Sequence, residues 1–276
     1  VQRARAGVLK GERRSTKRGT SIEFADYRDY TRGDDLRRID WNVYARLERP
    51  FIKLLEEEED LAVHILVDAS ASMDHGEGDQ HKFLYAQRLA AALGYIALAA
   101  GDRLWVAALR ADAVGAEFGP ARGRGQALGL LNFAEALAPA GETNLDGALH
   151  DYGLRARRPG LAFVISDLLA PGGFTAGLSE LQGRGYDTVV LHVLHPDEIE
   201  PAYSGDLKLV DVETGGFQEV TIDGAMRALY AERLRDWQAE LGTLCAKRGA
   251  LYQPITIDFP WDRLVQYQLR RRGVLK

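Results

Sequence analysis

The chain has 276 residues, of which 46% are hydrophobic and 27% charged, and it carries a net charge of −5. That balance excludes a disordered chain and a protein built from membrane-spanning helices, and the length fits one large α/β domain or one domain with an appendage. A single cysteine, Cys245, excludes an internal disulfide and fits a reducing compartment.

The charge is unevenly placed. Residues 1–50 carry 13 Lys and Arg against 8 Asp and Glu, whereas the remainder carries 22 against 32. The basic end is interleaved with acids from Glu23 onward, which favours pairing within the protein over a nucleic-acid arm. The chain starts at Val1 with neither an initiator Met nor a signal peptide, so an upstream segment stays open. The longest weakly polar stretch, residues 89–100, falls short of the roughly 20 residues of a spanning helix, so no membrane insertion of this chain is expected.

In chain order, residues 1–50 show neither helical nor strand periodicity and carry rings at Phe24, Tyr27, Tyr30, Trp41 and Tyr44. They are expected to form an irregular appendage pinned by those rings, with residues 51–276 as the main domain. Gly33, Asp34 and Asp35 predict a turn, and Arg28, Arg37 and Arg46 are suited to satisfy Asp34, Asp35 and Asp40 through forked hydrogen bonds. Lys17 and Arg18 fall outside that scheme and could meet an acidic partner. Residues 51–55 predict a strand running into the acidic stretch 56–60.

The body then alternates. Residues 61–67 form an apolar run suited to a buried parallel strand, and 81–100 a mostly apolar helix closed by Gly101. Further strands are predicted at 103–109, 161–166 and 188–194, separated by helices near 124–138, 146–156 and 174–183. Residues 208–213 and 217–222 flank Thr214, Gly215 and Gly216, a hairpin signal. Asp223 can cap a long helix with apolar residues at Met226, Tyr230, Leu234, Trp237, Leu241 and Leu244. A last strand is expected at 250–257 and a last helix at 261–272. Strands alternating with helices predict a doubly wound, mostly parallel sheet of the α/β class.

The strongest chemical signal ends the first body strand, where Asp68, Ala69, Ser70, Ala71 and Ser72 follow Val67. Ligands of open α/β sheets gather at the carboxyl ends of strands. One carboxylate and two hydroxyls at alternate positions of a tight loop offer only oxygen, which suits Mg²⁺, Ca²⁺ or Mn²⁺ and disfavours zinc. Taken alone, a Ser-rich turn capping the next helix explains the same residues. Thr143, in a loop that opens a helix, and Asp167, at the end of another strand, would reach the same rim.

This set resembles the metal-ion-dependent adhesion site of von Willebrand factor A domains: Asp-x-Ser-x-Ser, then a distant Thr and a distant Asp. Asp68, Ser70, Ser72, Thr143 and Asp167 match all five positions. The resemblance implies that the hydroxyls ligate a divalent cation directly or through water, that the aspartates neutralise its charge, and that a partner's Asp or Glu completes the shell. The run Gly19, Thr20, Ser21, Ile22, Glu23, Phe24, then Arg28, Tyr30, Gly33, Asp34, Asp35, Arg37, Ile39, Asp40, Trp41, Ala45 and Arg46 looks like the signature of the bacterial domain-of-unknown-function 58 family. That family places a von Willebrand A-like domain after it, and its genes commonly accompany MoxR-type AAA+ ATPases. The resemblance, good over about residues 10–170, implies a non-catalytic adapter that holds Mg²⁺, with Mn²⁺ or Ca²⁺ as substitutes, and an AAA+ ATPase as partner; many relatives carry N-terminal transmembrane helices, and without one in this sequence a cytoplasmic setting is expected.

An enzyme reading competes for the same residues. Phosphatases of the haloacid-dehalogenase type use an Asp after a first strand with Mg²⁺, but they need a second Asp two residues on, where Ser70 stands here. Ser70 and Ser72 lack the Gly-x-Ser-x-Gly elbow of serine hydrolases. His192 and His195 are expected on opposite faces of a strand and His75 in a solvated loop, so no histidine cluster is predicted. Gly119, Gly123 and Gly125 lack the Gly-Lys-Ser/Thr ending of a phosphate loop, and Arg270, Arg271 and Arg272 end a helix whose dipole they complement.

Overall fold

The computed structural model describes residues 23–56, 61–155, 157–210, 212 and 215–274. Lys17, Arg18, the signature residues 19–22 and the acidic residues 57–60 lie outside the described residues. Two compact units divide between Asp60 and Leu61.

In the N-terminal unit, β1 (Glu23–Asp29) pairs antiparallel with β2 (Phe51–Glu56). Between them lie a 3₁₀ turn, Leu36–Arg38, and the short helix α1, Trp41–Leu47. Over residues 23–50, where an irregular chain was expected, the described structure is regular, and β2 belongs with it because its hydrogen-bonding edge is taken by β1. Of the three arginines expected to hold the aspartates, Arg28 does so, donating to Asp34 at 2.8 Å. Asp35 and Asp40 act instead as helix caps: Asp35 accepts from Arg37 N, and Asp40 from Asn42 N and Val43 N. Each supplies an acceptor to a backbone N–H that has no partner within its helix.

The second unit is a doubly wound, mostly parallel α/β sheet. Its strands are β3 (Ala62–Asp68), β4 (Arg103–Arg110), β5 (Ala113–Arg122), β6 (Leu161–Ser166), β7 (Asp187–Leu194) and, after the separate hairpin of β8 (Gly205–Val210) and β9 (Phe217–Ile222), β10 (Leu251–Thr256). The sheet order is β10-β7-β6-β3-β4-β5, and only the β4–β5 pair is antiparallel. The helices are α2 (Lys82–Ala99), α3 (Ala127–Ala136), α4 (Leu145–Leu154), α5 (Thr175–Gly183), the single turn α6 (Pro196–Ile199) and α7 (Gly224–Lys247).

Continuous burial of β3, β6 and most of β7 explains their unbroken apolar runs, since both faces of the sheet are covered. On one face Leu66, Leu109, Val164 and Val190 pack with Leu149 and Tyr152 of α4, Leu178 of α5 and Leu241 of α7. The alternating residues Ile65, Val67, Phe163 and Ile165 point the other way, and α2 packs against β3 and β4. The apolar stripe of α7 is buried only toward its C-terminal end, at Leu241 and Cys245, while Met226 and Tyr230 are exposed. The last helix is α-helical over Trp261–Arg263, continues as a π-helix over Leu264–Leu269 and is α-helical again at residues 270–271. No helix among the described residues is long and apolar enough to cross a membrane.

Topology marks one place. From β3 the chain steps to β4 on one side, and β6, β7 and β10 then fill the other. The sense of winding reverses between β3 and β6, where Asp68 and Ser166 end their strands, and such a reversal opens a crevice at the carboxyl rim.

Candidate metal centre at the reversal of the sheet

Asp68 is buried at the end of β3, its side chain fastened on both oxygens. Oδ1 accepts from Ser70 N at 3.0 Å, and Oδ2 accepts from the Ser166 hydroxyl at 2.6 Å. Ser166 in turn accepts from Leu168 N at 2.9 Å, so this hydroxyl ties the first strand end to the second. Leu168 has a φ of 58°, a left-handed conformation uncommon for a residue other than glycine.

The Ser70 and Ser72 hydroxyls share a hydrogen bond of 2.9 Å. The segment bearing Thr143 is stitched alongside them: Ala71 N donates to Gly141 O at 2.7 Å and Ala140 N to Ala69 O at 2.9 Å. Thr143 itself bridges Ala111 beyond the end of β4. Its hydroxyl oxygen is buried and has no hydrogen-bond partner among the described residues. A buried hydroxyl without a partner is costly, so in a segment bonded to the serine loop it is a candidate ligand.

Asp167 follows β6 and is fully buried. Oδ1 accepts from Leu169 N at 3.1 Å and Oδ2 from Lys82 Nζ at 2.8 Å. Lys82 opens α2, is itself fully buried, and donates a second bond to Glu198 of α6 at 2.6 Å. Burial alone would lower the ammonium's pKa, but Asp167 and Glu198 outweigh it and hold the group above its ordinary value. Burial, and then the charge of Asp167, push the Asp68 carboxyl up to about 6, with Ser166 and Ser70 opposing. One ammonium against three carboxylates leaves the group negative when all are ionised, and Asp68 is the member without a cation.

Asp68, Ser70 and Ser72 are linked by hydrogen bonds, Asp167 bears on Asp68 by charge, and Thr143 follows a segment bonded to the serine loop; Asp68, Asp167, Ser70 and Thr143 are buried and Ser72 lies at the edge. All donors are oxygen, and the partnerless Thr143 hydroxyl fits a hard divalent cation. Sequence reasoning missed Ser166, Lys82 and Glu198. A serine directly before the late aspartate was the available signal for Ser166; a lysine at a helix start carries none.

The histidines depart from expectation. His192 is buried on β7 and bonds Tyr252 at 2.6 Å, while His195 caps α6 rather than lying on the strand. His195 meets His75 ring-to-ring at 4.6 Å, so two histidines expected apart are neighbours. Strand periodicity failed there because β7 ends at Leu194.

A family model described as Protein of unknown function DUF58 matches residues 26–240. An uncharacterized protein of Mycobacterium tuberculosis is 32% identical over 275 residues, covering 98% of this chain and 86% of the relative. One from Mycobacterium bovis matches to the same extent, 32% over 275 residues with the same 98% and 86%. Among solved structures, conserved hypothetical protein BatB from Bacteroides thetaiotaomicron is 16% identical, with 71% of this chain and 90% of that chain covered and a TM-score of 0.42. The manganese-loaded Plasmodium vivax TRAP protein is 16% identical, with 79% and 74% covered and a TM-score of 0.39.

Proposed function

The chain belongs to the family described as Protein of unknown function DUF58, and from that premise we propose that it is a non-catalytic interaction module of von Willebrand A type that binds a protein partner through a divalent cation. What carries the reading is the buried Thr143 hydroxyl, without a partner among the described residues, on a segment that Ala140 and Gly141 bond to the loop that Asp68 begins. Ser70, Ser72 and Thr143 would supply neutral oxygens, and Asp68 and Asp167 the charge, with Mg²⁺ the favoured ion and Mn²⁺ or Ca²⁺ substitutes. When bound, the ion supplies a positive charge with coordination to spare, which suits an Asp or Glu of a partner.

The chain's own residues brace that site. Ser166 locks the strand ends together, and Lys82 compensates one carboxylate, so that a divalent ion is not neutralised by the full set of acids. The partner class we put forward is an AAA+ ATPase of MoxR type, resting on the family resemblance, and the setting the cytoplasm, resting on the single cysteine's fit to a reducing compartment. The competing phosphohydrolase reading would need a proton carrier two residues after Asp68, where Ser70 donates its backbone N–H to Asp68 and pairs its hydroxyl with Ser72.

The test is capture of a candidate ATPase by immobilised chain in Mg²⁺, in chelator, and by Asp68→Ala, alongside turnover of a generic phosphate ester. Capture lost in chelator and in Asp68→Ala, without turnover, is the expected result. Turnover abolished by Asp68→Asn would instead favour the hydrolase.

A further inference from the structure

We propose that His75, His195 and Asp197 form a second cation site, of the imidazole-preferring first-row class with zinc the best fit, joining the loop after β3 to the start of α6. One ligand atom from each of the three side chains lies within 4.8 Å of the others. His195 Nδ1 and Asp197 Oδ2 are already 3.4 Å apart, close to the edge of a tetrahedron with bonds of about 2.0–2.2 Å. Small rotations of the His75 side chain and of the half-exposed Asp197 close the rest. His195 Nδ1 accepts a helix-capping bond from Asp197 N at 3.1 Å. An ion at that nitrogen replaces one capping bond, while the bond from His195 N to Glu198 at 2.6 Å still holds the turn.

The backbone is built to bring these rings together. Gly76 has a φ of 92°, and a Cβ there would sit 2.0 Å from Gln80 O and 3.2 Å from His195 Cδ2. Only glycine lets this loop fold back against the His195 ring. His75 is further fixed by its carbonyl, which accepts from Lys82 N at 2.8 Å, and by the adjoining Asp74–His81 bond of 2.9 Å.

Donor chemistry separates this site from the one at Asp68. Two imidazole nitrogens and a carboxylate select zinc and its neighbours, whereas an all-oxygen set selects magnesium, manganese or calcium. The two are joined mechanically, since Glu198 follows Asp197 and holds the Lys82 that holds Asp167. Three protein ligands leave a coordination position open to water or to a partner's side chain.

The experiment is calorimetric titration of the metal-depleted full chain with Zn²⁺, followed by Co²⁺ substitution read by its visible absorption. One zinc equivalent is expected, retained in excess Mg²⁺ and in Asp68→Ala, and weakened at least about tenfold in His75→Ala and in Asp197→Asn. His75→Ala leaves the α6 cap intact, so its circular dichroism should match the parent. Absence of zinc binding, zinc affinity unchanged in His75→Ala, or zinc displaced by Mg²⁺ and lost in Asp68→Ala would each overturn the proposal. The interaction reading stands or falls separately, on Mg²⁺-dependent capture.

Discussion

Replacing Lys82 with methionine isolates the charge that the fold places beneath the oxygen-lined crevice. The ammonium lies 2.8 Å from Asp167 and 2.6 Å from Glu198, with side-chain exposures of 0%, 1% and 21% for the three groups. Methionine keeps the stem's length and apolar packing but removes the cation. Asp167 then remains a buried carboxylate that accepts from the Leu169 N–H, with Asp68 as an unfavourable neighbour. Breaking a buried pair from one side costs about 3–5 kcal/mol, a large part of the roughly 5–15 kcal/mol that holds a domain folded. Glu198 adds little to that cost, being partly exposed and still bonded by His195 N at 2.6 Å. Urea unfolding in chelator should show the midpoint falling at unchanged slope. Adding Asp167→Asn to Lys82→Met should restore most of the loss, because a neutral amide needs no counter-charge. Saturating Mg²⁺ should stabilise Lys82→Met more than the parent, since a divalent ion supplies the missing charge. A loss below about 1 kcal/mol, or no recovery in the double variant, would refute the ion-pair account.

Thr143→Val keeps the side chain's shape and removes its partnerless oxygen, so in chelator its unfolding midpoint should equal or exceed the parent's. The same variant should lose most of the stabilisation that Mg²⁺ confers; a midpoint well below the parent in chelator would show that the hydroxyl has a structural partner. His64 Nε2 donates to Arg158 O at 3.0 Å, so its Nδ1 accepts from Tyr152 at 2.7 Å, and the ring is neutral. Burial lowers its pKa to about 4, below the ordinary 6.5 of the unfolded chain. Its contribution is therefore complete above pH 6.5 and is lost as pH falls toward 4, by about 3 kcal/mol. His64→Gln should flatten the fall in unfolding free energy between pH 7 and pH 4, and an unchanged slope would contradict this. At Gly177 a Cβ would lie 2.6 Å from Leu149 Cβ and 2.7 Å from Asp146 O, so Gly177→Ala should cost about 1–3 kcal/mol by forcing α5 off α4. A thermal midpoint within a degree of the parent would show that the helices can separate freely.

The parallel core was legible in the chain because both faces of its central strands are buried, which turns residues 61–67 and 161–166 into unbroken apolar runs bounded by polar residues. The candidate oxygen ligands stood out for a similar reason: Asp68, Ser70 and Ser72 are local to one loop, and Thr143 and Asp167 each sit at a predicted boundary. Strand β5 was hidden by Gly115, Gly119 and Pro120, which an antiparallel edge with bulges tolerates and a central strand would not. The N-terminal strand pair was hidden by its brevity and charge, since seven residues of β1 include Glu23, Asp26, Arg28 and Asp29.

Composition and order along the chain determined which groups were available and which segments had to be covered on both sides. Only folding decided what neutralises them: Lys82 finds Asp167 and Glu198 across 85 and 116 residues, and His75 meets His195 from a separate loop. Local periodicity records which face of an element is buried, because that is a property of neighbours in sequence. Charge compensation is a property of neighbours in space, and it is fixed by the order in which the strands assemble.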